Sequence, residues 1–218
     1  MKTITTWVQE NIIQKPFLIE SLQLGIINFS ALAELLQKES ELELRRKVTI
    51  GSIIMALRRF NSNQGLLSHT SIEKAIHHLG DFTIKSNLTD YNFQNSTALF
   101  QNQIKILEYT FAEKDTYYAF IKGIYESNLI ISSKLETKIY DLFSSEKINK
   151  KITNLNSLTI QLPPENERII GLYYVILKQL AWEGISIYEV VSTTNEFTLI
   201  IDNEYIDKAF SVVKNIKT

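Results

Sequence analysis

The sequence has no cysteine, only three prolines and only seven glycines in 218 residues. Without cysteine there is no disulfide framework, no thiolate metal site and no cysteine nucleophile. The glycines, Gly25, Gly51, Gly65, Gly80, Gly123, Gly171 and Gly184, never cluster. A P-loop or a dinucleotide-binding turn needs clustered glycines so that backbone N–H groups can wrap a phosphate, so neither is expected. An excess of one charge is lacking as well: 23 Lys and Arg stand against 24 Asp and Glu, a net charge of −1. Nothing global therefore draws the chain to nucleic acid or to an anionic membrane. The longest apolar run, Ile169 to Leu177, falls short of the roughly 20 residues that span a bilayer. Met1 to Trp7 leads into charged and amide residues rather than the apolar stretch of a secretory signal. A soluble, cytoplasmic chain without a membrane partner is expected. Of the three histidines, His77 and His78 are adjacent, so on a helix they point about 100° apart and cannot share a metal. His69 has no partner at zinc-site spacing. No metal and no cofactor is expected.

What is present is an ordinary globular supply of core: 44% hydrophobic and 22% charged residues. The first eighty residues carry helical spacing. Trp7, Val8, Ile12 and Ile13 form one apolar face before Pro16, and a second segment runs from Phe17 to Gly25, read as a helix C-cap. Asn28 or Ser30 can cap a third helix with a stripe of Leu32, Leu35, Leu36 and Leu42. Thr49 precedes a fourth segment through Phe60, and another helix from Ser71 to Leu79 closes at Gly80. Short helices joined by tight turns predict a helical, winged-helix-like domain over 1–80.

After Gly80 the period changes. Phe82 and Ile84, then Tyr91 and Phe93, alternate with polar residues, and the phase slips between Asn87 and Asp90, as at a bulge. A helix from Ser96 to Phe111, a hairpin turning at Lys122-Gly123 and a helix from about Lys134 to Phe143 follow. The same order returns: a strand from Ser157 to Leu162, a helix from Ile169 to Glu183, strands from Ser186 to Val191 and Glu196 to Ile201, and a helix from Ile206 to Ile216. This predicts an α+β chain in which two ferredoxin-like βαββα units, 81–147 and 151–218, set their sheets side by side. Ser144 to Asn154, polar and lysine-rich, is expected to link them.

The second unit resembles an ACT domain. The residues that carry the resemblance are Leu155-Asn156-Ser157-Leu158-Thr159-Ile160, Ile170 to Leu177, Leu180 to Ser192, and Asn195-Glu196-Phe197-Thr198-Leu199-Ile200-Ile201. The pairing of two such units is most similar to the regulatory end of aspartokinase. The likeness is good over Lys151 to Asn215 and rests on element order alone over Asp81 to Phe143. The first eighty residues resemble nothing in aspartokinase, and its glycine-rich catalytic segment has no counterpart here.

The resemblance implies that an amino acid binds where the first strand turns into its helix. The residues agree with that chemistry. Pro163 to Arg168 leads into a helix whose first N–H groups lack intrahelical partners and suit an α-carboxylate. Gly171 lets a ligand approach the backbone, and Asn195 and Glu196 offer an amide and a carboxylate to an α-ammonium. The candidate ligand residues are Arg168, Ile170, Gly171, Leu172, Asn195 and Glu196. Packing alone for Gly171, and a turn-shaping role for Asn195, stand beside that reading. The matching turn of the first unit, Gln94-Asn95-Ser96-Thr97, has no glycine and is read as a ligand-free copy.

The region before Asp81 has nine Lys and Arg against seven Asp and Glu. Arg45, Arg46 and Lys47 cluster before the fourth segment, and Arg58 and Arg59 lie near its end. These five are the candidate DNA contacts. The turns that would read base edges, Ile50 to Ile54, are mostly apolar, which departs from a DNA reader. The sequence thus points to a non-catalytic regulatory protein that binds an amino acid, expected to be a homodimer. Two other readings stay open, an amino-acid-responsive transcription regulator and an accessory subunit of a biosynthetic enzyme such as aspartate kinase. Because no phosphate cradle is present, the purified protein should not phosphorylate aspartate with ATP and magnesium. Turnover that rises with the concentration of this chain, free of contaminating kinase, would overturn that expectation.

Overall fold

Thr3, Asn28 and Thr49 each open a helix in the computed structural model, which describes residues 2–63, 69–113 and 115–217. Gly65 and the His69 side chain lie outside the described residues. The chain divides into two compact units, 1–71 and 72–218. In the first, α1 (Ile4–Ile13) ends just before Pro16, which takes the first position of α2 (Pro16–Gln23), where a missing N–H removes nothing. Gly25, at φ +68°, stops α2: its N–H donates to the Leu22 carbonyl and the Ile26 N–H to that of Ser21, a Schellman closure. In α3 (Phe29–Leu44) the Asn28 side chain accepts the N–H groups of Ser30 and Ala31. The next helix is α4 (Ile50–Asn63). Their shared core includes Trp7, Ile12, Leu36, Ile53, Leu57 and Phe60. The Trp7 indole N–H donates to Glu43 at 2.7 Å. The expected leucine stripe of α3 needs correction. Leu32 and Leu36 are buried, but Leu35 and Leu42 are 75% and 80% exposed. The buried face is centred between Leu32, Ala33, Leu36 and Ser40, and at about 100° per residue Leu35 and Leu42 fall well outside it. Among the described residues of this unit there is no strand that could serve as the β wing of a winged helix.

The second unit begins at Ile72, within α5 (His69–His77), which the sequence pattern counts with the preceding helices. Its Ala75 and Ile76, with Leu79 just beyond, lie in the core under the sheet. The strands are β1 (Phe82–Gln94), β2 (Tyr118–Lys122), β3 (Glu126–Ser132), β4 (Ile148–Gln161), β5 (Ile187–Ser192) and β6 (Glu196–Asp202). Between them run α6 (Thr97–Ala112), α7 (Glu136–Phe143), α8 (Leu172–Trp182) and α9 (Ile206–Lys217). The two βαββα repeats form one six-stranded antiparallel sheet in the order β2-β3-β1-β4-β6-β5, joined by β1 against β4. The expected linker is largely strand. β4 starts at Ile148, and Lys150 and Lys151 pair with Asn92 and Tyr91: the ladder with β1 satisfies one side of this exposed polar stretch and water can satisfy the other, while β6 joins β4 from Leu155 onward.

The helices cover one face. Tyr91, Phe93, Leu129 and Ile131 pack under α6 and α7. Leu158, Ile160, Leu199 and Ile201 pack under α5, α8 and α9. Gly80 allows β1 to begin close to β4, since a Cβ there would lie 2.8 Å from the Gln161 Cβ. The opposite face holds a smaller cluster, Leu88, Ile130, Leu155 and Ile200, each fully buried. These four are two matched pairs. Asn87-Leu88 in β1 recurs as Asn154-Leu155 in β4, with both asparagines left-handed at φ 57° and 61°. Glu126 to Ile131 recurs as Glu196 to Ile201, sharing the glutamate and the Leu-Ile-Ile run. The expected slip near Asn87 is there, as shifts in register between Lys85 and Asp90.

That face is strongly curled. β3 and β5 stand four strands apart in the order, about 19 Å in a flat sheet at 4.8 Å per step. Yet the Asn128 side chain on β3 hydrogen-bonds Glu189 on β5, and Tyr117, just before β2, hydrogen-bonds Thr198 on β6. Burial pushes the Tyr117 hydroxyl up to about 12.

Candidate functional site

The strand-to-helix turn of the second repeat is tied to the neighbouring hairpin by three contacts. The Leu162 N–H donates to the Asn195 carbonyl at 2.8 Å. Asn166, in a 3-10 turn over Asn166–Arg168, donates from Nδ2 to the Thr194 carbonyl at 2.6 Å and to that of Pro163 at 3.2 Å. Tyr173, at the start of α8, brings its hydroxyl to 3.5 Å from Asn166 Oδ1 and 3.4 Å from Ser192 Oγ. The β4–α8 turn and the β5–β6 hairpin thus face one another.

Gly171 is the N-cap of α8 at φ +92°, with no side chain capping the helix. A Cβ there would be strained by that φ and would lie 3.3 Å from Ile72 Cδ1. The N–H of Leu172 reaches the Ile169 carbonyl only at 3.5 Å. The helix therefore presents its positive end with no side-chain acceptor at the cap. The other candidate residues separate into groups. Asn195 and Glu196 are exposed at the hairpin, and Glu196 opens β6 opposite Gln161. Arg168 is exposed and paired with Glu165 at 3.5 Å, and Ile170 is 91% exposed at the rim. The Leu172 side chain is 1% exposed and belongs to the core, so only its backbone faces the turn.

The first repeat arranges the same place differently. Ser96 caps α6 itself, its Oγ accepting the Leu99 N–H at 2.9 Å and donating to Glu146 at 2.6 Å. Its hairpin is held as in the second repeat: Asn95 Nδ2 donates to the carbonyls of Gly123 at 3.0 Å and Ile124 at 3.2 Å. Both repeats thus clamp the hairpin with an asparagine after the first strand, and only the second leaves its helix end without a side-chain cap. Asn166 was missed in the sequence, although the Asn95 and Asn166 positions after each first strand were a signal. A cavity of about 280 Å³ lies elsewhere, between α7 and the β1–β4 pair, lined by Tyr91, Ile139, Phe143, Ile148 and Lys151.

Arg45, Arg46 and Lys47 are exposed in the turn between α3 and α4, with Arg45 left-handed at φ 52°. Arg58 and Arg59 are exposed on α4, about 12 Å further along its axis at 1.5 Å per residue. They make two patches rather than one, and Ile50, Ile53 and Ile54 between them turn into the unit's own core. His77 and His78 each contact a backbone carbonyl, of Lys217 and Lys74 respectively. Among the described residues no group of three or more His, Asp or Glu could hold a metal ion. No helix there is long and apolar enough to cross a membrane.

Replacing Asn166 with alanine strands the Thr194 and Pro163 carbonyls and should lower stability by about 1–3 kcal/mol. Urea unfolding checks this, and a midpoint equal to that of the parent would show that the clamp carries nothing.

No protein-family model and no curated protein matches the sequence. Solved structures do. Aspartokinase alpha and beta subunits superpose with a TM-score of 0.51 at 12% identity, over 63% of this chain and 97% of that one. The regulatory subunit of aspartate kinase from Thermus thermophilus, in its ligand-free form, gives 0.50 at 9% identity, over 64% and 99%. Aspartate kinase from Clostridium acetobutylicum gives 0.52 at 14% identity, over 64% of this chain but only 34% of the enzyme. About two thirds of the chain therefore has the fold of the aspartokinase regulatory region.

Proposed function

We propose that the chain is a non-catalytic regulatory protein and that its second repeat binds an amino acid between the β4–α8 turn and the β5–β6 hairpin. The observation that carries this reading is the uncapped start of α8 at Gly171, held against the hairpin by Asn166, where the first repeat caps its own helix. An α-carboxylate would accept from the first N–H groups of α8 and gain from the helix dipole. Glu196 and Asn195 would take the α-ammonium. Arg168 and Ile170 stand at the rim, where they can meet the side chain of a ligand. Bound amino acid would favour one packing of the two repeats, or of two protomers, over another.

A thermal-shift screen of the twenty amino acids identifies the ligand, since a molecule that binds only the folded chain raises Tm. With that ligand, Glu196→Gln should weaken affinity roughly 10- to 150-fold, the equivalent of a charged hydrogen bond of about 1.5–3 kcal/mol. Unchanged affinity by calorimetry in a folded Glu196→Gln protein would remove Glu196 from the site. Gly171→Val is the poorer probe, because φ +92° makes it a test of folding first.

We further propose a homodimer that acts as an accessory subunit of a biosynthetic enzyme, aspartate kinase being the one that the fold suggests. The edge strands β2 and β5, each paired on one side only, and the exposed Ile170 support association. Light scattering of the protein alone, and with aspartate kinase added, checks both parts. A monomer at high micromolar concentration would refute the first, and no change in mass on mixing would refute the second.

A further inference from the structure

A line of hydrogen bonds crosses the curled face of the sheet. Asn149 on β4 donates to Asn92 on β1 at 3.0 Å, Asn92 donates to Asn128 on β3 at 2.6 Å, and Asn128 donates to Glu189 on β5. Every amide gives its N–H in the same direction, so the carboxylate of Glu189 is the terminal acceptor of the whole line. The last bond ties β5 across the curl, beside the Tyr117 bond to Thr198 on β6 and the packing of Val191 on the apolar cluster, while the backbone of β5 pairs only with β6.

Asp90 lies beside this line on β1. It is 5% exposed, and its Oδ1 has no hydrogen-bond partner. The residues opposite it on the neighbouring strands are apolar: Ile130 on β3 and Ile152 on β4. The charges that act on it come from Glu189 on β5 and from exposed Lys150 on β4. Glu126 on β3 adds a further negative charge near Glu189. A buried carboxylate without a donor is costly when ionised, and a second carboxylate at the end of the hydrogen-bond line makes it costlier.

We propose that the Asn128–Glu189 bond is a pH-operated latch on the edge strand β5, closed by a proton on Asp90 and loosened when that proton leaves. Burial, and after it the charge of Glu189, lifts the Asp90 carboxyl from the ordinary 3.8 to about 6, against the opposing pull of Lys150. Burial raises Glu189 too, against the stabilising bond from Asn128. If β5 swings away, Asp90 meets water, leaves Glu189 behind and returns to the ordinary carboxylate range. The open form is then the stronger acid. The latch is fully favoured below about pH 4, and this favour is lost as pH rises through about 6. Opening uncovers Leu88, Ile130, Leu155 and Ile200, the apolar cluster inside the curl.

Hydrogen exchange followed by mass spectrometry on the full chain tests the latch, with rates corrected for the intrinsic pH dependence of amide exchange. Peptides covering β5 should open about tenfold more at pH 7.5 than at pH 5, because one unit of pKa is a factor of ten and most of the shift lies below pH 6. Peptides from the centre of β4 should show no such change. Asp90→Asn should make β5 slow at both pH values, and Asn128→Ala should make it fast at both while α8 stays protected. A pH dependence that survives unchanged in Asp90→Asn would overturn the proposal, and so would β5 protection indifferent to Asn128→Ala. Loss of protection in α8 of Asn128→Ala would mean that the bond serves the whole fold rather than a latch, which also overturns it.

Discussion

The antiparallel pairing of β1 with β4 is the constraint on which the second unit depends. It makes one sheet of two repeats and sets Leu88 opposite Leu155 at its middle. Both strands break step there, each at a left-handed asparagine. A bulge turns the side chains beyond it to the other face. Each long strand can therefore serve its own repeat with one half and its neighbour with the other. Before its bulge, β1 sends Phe82 toward the core of the second repeat; after it, Tyr91 and Phe93 serve the first. A regular strand of that length would have placed one of these sets in water.

Most of the element order could be read from the sequence because the alternation of apolar residues changes period at Gly80 and because turn residues mark the hairpins. The helix of the second repeat, its two hairpin strands and the closing helix lie within a few residues of where periodicity puts them. Two parts were not legible. Residues 148–154 look like a linker because Asn149, Lys150 and Lys151 are polar, yet the ladder to β1, a strand distant in sequence, holds this backbone without any apolar pattern. In α3 the leucines at 35 and 42 match a helical spacing, but the partners that choose the buried face are distant in sequence, so spacing alone could not say which leucines go inside.

The candidate site was half legible. Gly171, Asn195 and Glu196 are found where a turn meets a hairpin, because a glycine before a helix and a polar pair before a strand are local signals. Leu172 was read as part of the site for its position, and burial makes it a core residue. Asn166 is harder to see for the opposite reason: its role is to reach a carbonyl on another element, and the sign of it lies about 70 residues away, in the matching Asn95 of the first repeat. The amide line through Asn149, Asn92 and Asn128 was hidden in the same way. Its members come from three strands, and only the curl of the sheet brings the last of them to Glu189.

The strand that replaces the expected linker bears on how the chain would come apart. α7 ends at Phe143 and β4 starts at Ile148, so the two repeats are connected by a few residues yet are zipped together along most of β1. A protease that cut between them would leave two fragments, each with an open strand edge rich in unpaired N–H and C=O groups. The best complement to either edge is the other fragment. A nick at that point would sever the covalent chain without parting the halves, and the two pieces would travel together until something unfolded one of them.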